Sequence, residues 1–250
     1  MTPAEHAGAD ADMPSPETVA RCRENWQAIN DRVAAACRQA DREVDTVCVI
    51  GVTKYVGLPL TRAVLAAGCR DLGESRPQAL WDKAAALGDE RPLPRWHLIG
   101  HLQRNKVAKT LAVRPLIHTV DSERLAVALS REAVANGNEA ELLIEINLAG
   151  DTGRSGVEPS AATELVSRVV GLSGLRLLGL MGMASHPEVC RDPRQEFAGL
   201  RQLRDQLVDR FPEAGGLSEL SMGMSGDFEA AILEGSTMVR IGSALFEGLE

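Results

Sequence analysis

The chain has 250 residues and a net charge of −8. At 44% hydrophobic and 25% charged, it can bury a full core and is not a disordered acidic polymer. The acidic balance excludes a basic nucleic-acid scaffold, and an aromatic content of 3% excludes base-stacking platforms. Five cysteines at 22, 37, 48, 69 and 190 include no C-x-x-C pair, which predicts free thiols in a reducing cytoplasmic setting, with neither a zinc motif nor an apolar run long enough to span a membrane.

Residues 1–14, rich in Ala, Asp, Glu and Pro, read as a disordered tail without a signal-peptide core. Ser15-Pro16 reads as an N-cap followed by proline at the first helical position. Val19, Cys22, Trp26, Ile29, Val33 and Ala36 then follow at spacings of three and four, one apolar stripe on a long helix.

From residue 46 a short apolar run and a helical segment alternate. The expected strands are 46–52, 69–73, 95–100, 116–120, 141–147, 175–182, 218–223 and 237–242. The helices between them are expected over 58–68, 77–88, 102–112, 122–137, 160–171, 192–211 and 227–235. Such alternation implies a parallel sheet with right-handed crossovers. An open doubly wound sheet would advertise a G-x-G-x-x-G loop after its first strand, and neither that loop nor a Walker A pattern is present. The predicted fold is therefore an α/β single domain over 15–250, a (β/α)8 TIM barrel preceded by an extra helix.

Barrels of this kind carry their chemistry at the carboxyl ends of the strands, with phosphate sites after strands 7 and 8. Lys54 falls just past strand 1. Ser225 precedes the 227–235 helix, Arg240 lies within strand 8, and Gly242 and Ser243 follow it. Free N–H groups at a helix start and at 242–243 would attract an anion. One end of the barrel thus offers an amine and a phosphate cradle. A ligand with an aldehyde and a phosphate satisfies both, and pyridoxal 5′-phosphate (PLP) is such a ligand, with Lys54 as the Schiff-base amine. Arg240 would then face the ring nitrogen, from which it cannot accept a proton. A structural ion pair of Arg240 with Glu74 is the competing reading.

Several stretches are recognisable: VTKY containing Lys54, GES at 73–75, WHLIGHLQRNK at 96–106, HTVDS at 118–122 and LSMGMSGDFEAAILEGSTMVRIGSALFEG at 220–248. In these the chain resembles the pyridoxal phosphate homeostasis protein family, also described as alanine racemase amino-terminal barrel-like. The resemblance implies a monomeric or loosely associated barrel that holds PLP on Lys54, with Ser225, Gly242 and Ser243 at the phosphate and Arg240 at the ring nitrogen. It further implies storage, delivery or regulation of PLP, with PLP-dependent apoenzymes as recipients and no assigned catalytic residue. Two positions depart from the family pattern: Ser75 stands where asparagine is usual, and Arg154 where lysine is common.

Alanine racemase needs a lysine and a tyrosine on opposite faces of the cofactor. The single tyrosine, Tyr55, is next to Lys54 and in an extended segment would point the other way, so efficient two-base racemisation is not expected. A weak PLP-dependent racemase or lyase using His101 is the rival reading, and a barrel for another phosphorylated metabolite is a third. His97 and His118 read as hydrogen-bonded interior residues, and Met181, Met183, Met222 and Met224 as core filler that could also line a pocket.

Overall fold

A computed structural model describes residues 13–150, 153, 155–185, 192–212 and 215–249. Most of the expected tail, Arg154, Cys190 and Arg191 lie outside these described residues. Eight parallel strands close into a barrel in sequence order: β1 (Cys48–Val52), β2 (Asp71–Glu74), β3 (Arg95–Leu98), β4 (Leu116–Val120), β5 (Ala140–Ile146), β6 (Leu175–Gly182), β7 (Glu219–Met224) and β8 (Met238–Ile241). β8 pairs in parallel with β1, from Cys48↔Met238 to Gly51↔Ile241, and this seam closes the cylinder.

Helices cover the outside: α1 (Pro16–Gln39), α2 (Leu58–Ala66), α3 (Pro77–Ala86), α4 (Val107–Val113), α5 (Glu123–Ala135), α6 (Pro159–Val170), α7 (Arg194–Arg210) and α8 (Phe228–Leu233). Helix α1 starts as expected, with Ser15 Oγ accepting from the Thr18 N–H at 3.2 Å and Pro16 in its first turn. Ser122 stands at the N-cap of α5, but its side chain makes no capping hydrogen bond. Among the described residues no helix is long and apolar enough to cross a membrane.

Strand alternation sorts the side chains into two cores. Outward residues such as Val49, Leu72, Leu98, Ile117, Ile144 and Val239 pack against the helices. Inward residues Ile50, Leu116, Leu143, Met181 and Met238 fill the barrel itself. The four methionines divide accordingly: Met181 is interior with Met183 against it, Met222 is in the outer core, and Met224 is exposed.

Helix α1 also braces the last turn of the barrel. Asn25 Nδ2 donates to the carbonyls of Leu245 at 3.1 Å and Glu247 at 2.9 Å, on either side of the end of the 3₁₀ turn Ser243–Phe246. Arg42 Nη1 donates to Ile232 O and Ser236 O, tying the far end of α1 to the α8–β8 connection.

Candidate functional site

The inward row of β1 runs Cys48, Ile50, Val52. Two residues further on it reaches Lys54, at the mouth of the barrel. Lys54 is exposed, and its Nζ lies 4.8 Å from the centroid of the Tyr55 ring, which is itself 85% exposed. The two residues occupy a turn rather than an extended segment. The expectation that they point to opposite sides is corrected: the turn brings amine and ring together.

Arg240, on the inward row of β8, is 3% exposed. Its Nη1 donates to Ser221 O and Ser221 Oγ, each at 2.7 Å, and its Nη2 to Gly182 O at 3.1 Å. All three acceptors are neutral oxygens. Among the described residues no carboxylate pairs with it, and burial lowers its pKa to about 10, which leaves it a cation at neutral pH. The competing ion pair with Glu74 is not formed. Glu74 faces outward and instead receives Lys83 Nζ at 2.6 Å and Thr53 Oγ1 at 2.7 Å.

Ser225, Gly242 and Ser243 come together after β7 and β8. Ser225 Oγ accepts from the Gly242 N–H at 3.2 Å and the Ala244 N–H at 3.5 Å. These donors start the short 3₁₀ turn at Ser243, so the hydroxyl and the main-chain donors already face one another in a cradle suited to an anion. Ser225 lies three residues before α8, a helix of six residues whose N-cap residue, Asp227, accepts at Oδ1 from the Met224 N–H. The donors that meet Ser225 are the N–H groups of Gly242 and Ala244. Gly223 shapes the backbone beside the cradle. Gly223 has φ +93°, and a Cβ there would lie 2.6 Å from Ala231 Cβ, so its absence lets α8 sit close against β7. A Cβ on Gly242 would meet Val52 at an ordinary 3.6 Å.

Sequence reasoning missed Glu145 as part of this site. It is 2% exposed on the inward row of β5, across the barrel from β1, and Ser155 Oγ donates to its Oε1 at 2.6 Å. Among the described residues its buried Oε2 has no hydrogen-bond partner, and burial raises its pKa. A glutamate in the otherwise apolar run LLIEI belonged to no motif that signals a carboxylate role. His101 is exposed at the rim, 3.9 Å from Asp121.

Below the mouth, His97 Nε2 lies 2.9 Å from Asp71 Oδ1, His97 Nδ1 3.0 Å from His118 Nε2, and His118 Nδ1 2.9 Å from Ser221 Oγ. Burial lowers the pKa of both histidines, of His118 well below its ordinary value, so both are neutral. Burial alone would raise Asp71, but hydrogen bonds from His97 and Cys48 and the charge of Arg95 outweigh it, and its pKa is lowered.

Residues 21–249 match the family described as "Alanine racemase, N-terminal domain". A pyridoxal phosphate homeostasis protein of Aquifex aeolicus is 38% identical over 223 residues, 89% of this chain and 96% of the relative. One of Mycobacterium tuberculosis is 35% identical over 236 residues, covering 87% and 89%. The structure of PipY from Synechococcus elongatus, solved with PLP bound, aligns with TM-score 0.76 at 33% identity over 87% of this chain and 99% of that one. An alanine racemase of Clostridium difficile, at 16% identity and TM-score 0.69 over 91% of this chain and 56% of its own, shares the fold.

Proposed function

Since the chain belongs to the pyridoxal phosphate homeostasis protein family, built on the alanine racemase N-terminal barrel, we propose that it binds PLP in the barrel mouth, attached through a Schiff base on Lys54, and serves in storage, delivery or regulation of that cofactor. The observation that carries this reading is Arg240. A buried guanidinium is costly to desolvate and normally takes a carboxylate. This one uses three of its five N–H donors on neutral oxygens and keeps two for a partner in the mouth.

The other residues fit the same group. The 242–244 donors and Ser225 suit a phosphate, and Ser243 flanks them. Lys54 supplies the amine by turning from Tyr55 toward the row that it continues. Bound PLP supplies an electrophilic carbon and an electron-withdrawing ring. Arg240 can donate to the ring nitrogen but offers it no acidic proton at neutral pH, which weakens that withdrawal. A carrier or regulator is therefore favoured over an enzyme of robust turnover. The reading carries with it a cytoplasmic setting, a monomeric barrel and PLP-dependent apoenzymes as recipients.

Borohydride reduction of the PLP-treated protein, followed by peptide mapping, tests it. The pyridoxyl group is expected on the Lys54 peptide, and the PLP-dependent absorbance is expected to vanish in Lys54→Ala. Modification at another lysine would overturn the attachment site, and no absorbance change on adding PLP would overturn the reading.

A further inference from the structure

Asp71, His97, His118, Ser221 and Arg240 form one unbroken file of hydrogen bonds through the barrel, crossing from β2, β3 and β4 to β7 and β8. The Asp71 side chain is 24% exposed at the amino end of β2, whereas His97, His118 and Ser221 are fully buried.

The two ends dictate where every proton sits. An ionised carboxylate only accepts, and a guanidinium only donates. Asp71 therefore requires the proton on His97 Nε2, because a bare nitrogen 2.9 Å from a carboxylate oxygen would set lone pair against lone pair. Neutral His97 then has a bare Nδ1, which must accept from His118 Nε2–H. His118 Nδ1 is bare in turn and accepts the Ser221 hydroxyl proton. The Ser221 oxygen is left to accept from Arg240 Nη1. Reversing any member sets donor against donor or lone pair against lone pair elsewhere in the file.

The same order disposes of a tempting alternative. Ligand atoms of Cys48, Asp71 and His97 lie within 4.8 Å of one another, a spacing that suits a metal ion. His97 Nε2 offers a proton there, not a lone pair, and Asp71 already accepts from both neighbours.

The geometry points to Asp71, His97 and His118 as positioning residues for Arg240. They hold the Ser221 oxygen toward the guanidinium and so decide which two of its N–H groups remain for the ligand. This rests on the reading of Arg240 as a ligand contact. Asp71, at the opposite end of the barrel from the mouth, then acts on the ligand through four hydrogen bonds in series.

Nitrogen NMR of ¹⁵N-histidine-labelled protein without PLP tests the proton order. Both rings are expected as the Nε2–H tautomer, and an Nδ1–H form of either one in the wild type overturns the proposal. Asp71→Leu is expected to release the order, shift the PLP absorbance maximum and weaken PLP binding about three- to tenfold, the size of one hydrogen bond. Asp71→Asn keeps an acceptor and is expected to stay within about twofold, less than half a kcal/mol. Altered tautomers in Asp71→Leu with unchanged absorbance and affinity would also overturn the proposal. If that variant does not fold, Ser221→Ala breaks the file from the other end, with the same expected readouts. No PLP-dependent band in the wild type would fault the ligand reading itself, while the tautomers report on the file independently.

Discussion

Lys83 Nζ, on α3, lies 2.7 Å from the carbonyl oxygen of Thr53, the residue before Lys54. The same ammonium is 2.6 Å from Glu74 Oε1, and both side chains are almost fully enclosed. A buried ion pair thus anchors the end of β1, and with it the turn that presents Lys54. Lys83→Met leaves the Glu74 carboxylate buried without its cation, an expected loss of about 3–5 kcal/mol in denaturant unfolding. Adding Glu74→Leu is expected to recover most of that loss. A single variant as stable as the wild type would show that the pair is not an anchor.

Burial lowers the pKa of His97 and His118, which sets the sign of an acid effect. The unfolded chain takes up protons near pH 6.5, before the folded one does. The stability from neutral rings is complete above that value and is lost as pH falls from there toward the folded pKa values. The cationic Arg240 and Arg95 act on His118 in the same direction as burial and deepen the effect. The melting temperature is expected to decline between pH 7 and 5, and a flat profile there would contradict the buried neutral rings.

Glu145 behaves oppositely. Its pKa is raised by burial, so its contribution is favourable below the unfolded carboxylate pKa and is lost as pH rises through the folded value. Glu145→Gln removes the charge while keeping an acceptor for Ser155. It is expected to stabilise the protein at pH 8 by about 1 kcal/mol, or about 2–4 °C in melting temperature, and less at pH 5. A destabilised variant at pH 8 would mean that the carboxylate is better satisfied than its unpartnered Oε2 indicates.

The cradle glycines should separate cleanly. Gly242→Ala meets only Val52 at 3.6 Å and is expected to fold with near wild-type stability. Gly223→Ala drives a Cβ to 2.6 Å from Ala231 Cβ at φ +93° and is expected to lose several kcal/mol. Ser225→Ala takes the acceptor from two N–H groups and is expected to weaken PLP binding by up to about tenfold with little effect on folding. Equal stability of the two alanine variants at 223 and 242 would refute the steric account.

Most element boundaries were readable because each strand is an apolar run bounded by glycine or a polar turn, and each helix carries a stripe on one side. That Lys54, Ser225, Arg240 and Gly242 lie toward one end of the barrel was readable because a closed barrel brings the carboxyl ends of its strands together. What escaped depends on contacts between distant residues. Lys83 reads as an ordinary helix-surface lysine until α3 is docked on β2. Asp71 and Ser221 are 150 positions apart, and only strand register aligns them through two histidines. The α8 helix reads longer than it is, because Asp227 spends its side chain on the Met224 N–H and the last turn unwinds at Gly235.

The Asn25 clamp has a consequence for the order of synthesis. The amide that holds the 243–246 turn is made early, and the carbonyls it grips, Leu245 and Glu247, are made late. A ribosome-bound chain that has completed seven strands has neither Arg240 nor the 242–244 donors in place. Loading with a phosphorylated ligand therefore reports that the first helix and the last turn have met, and a stalled fragment should remain empty however well its earlier strands have formed.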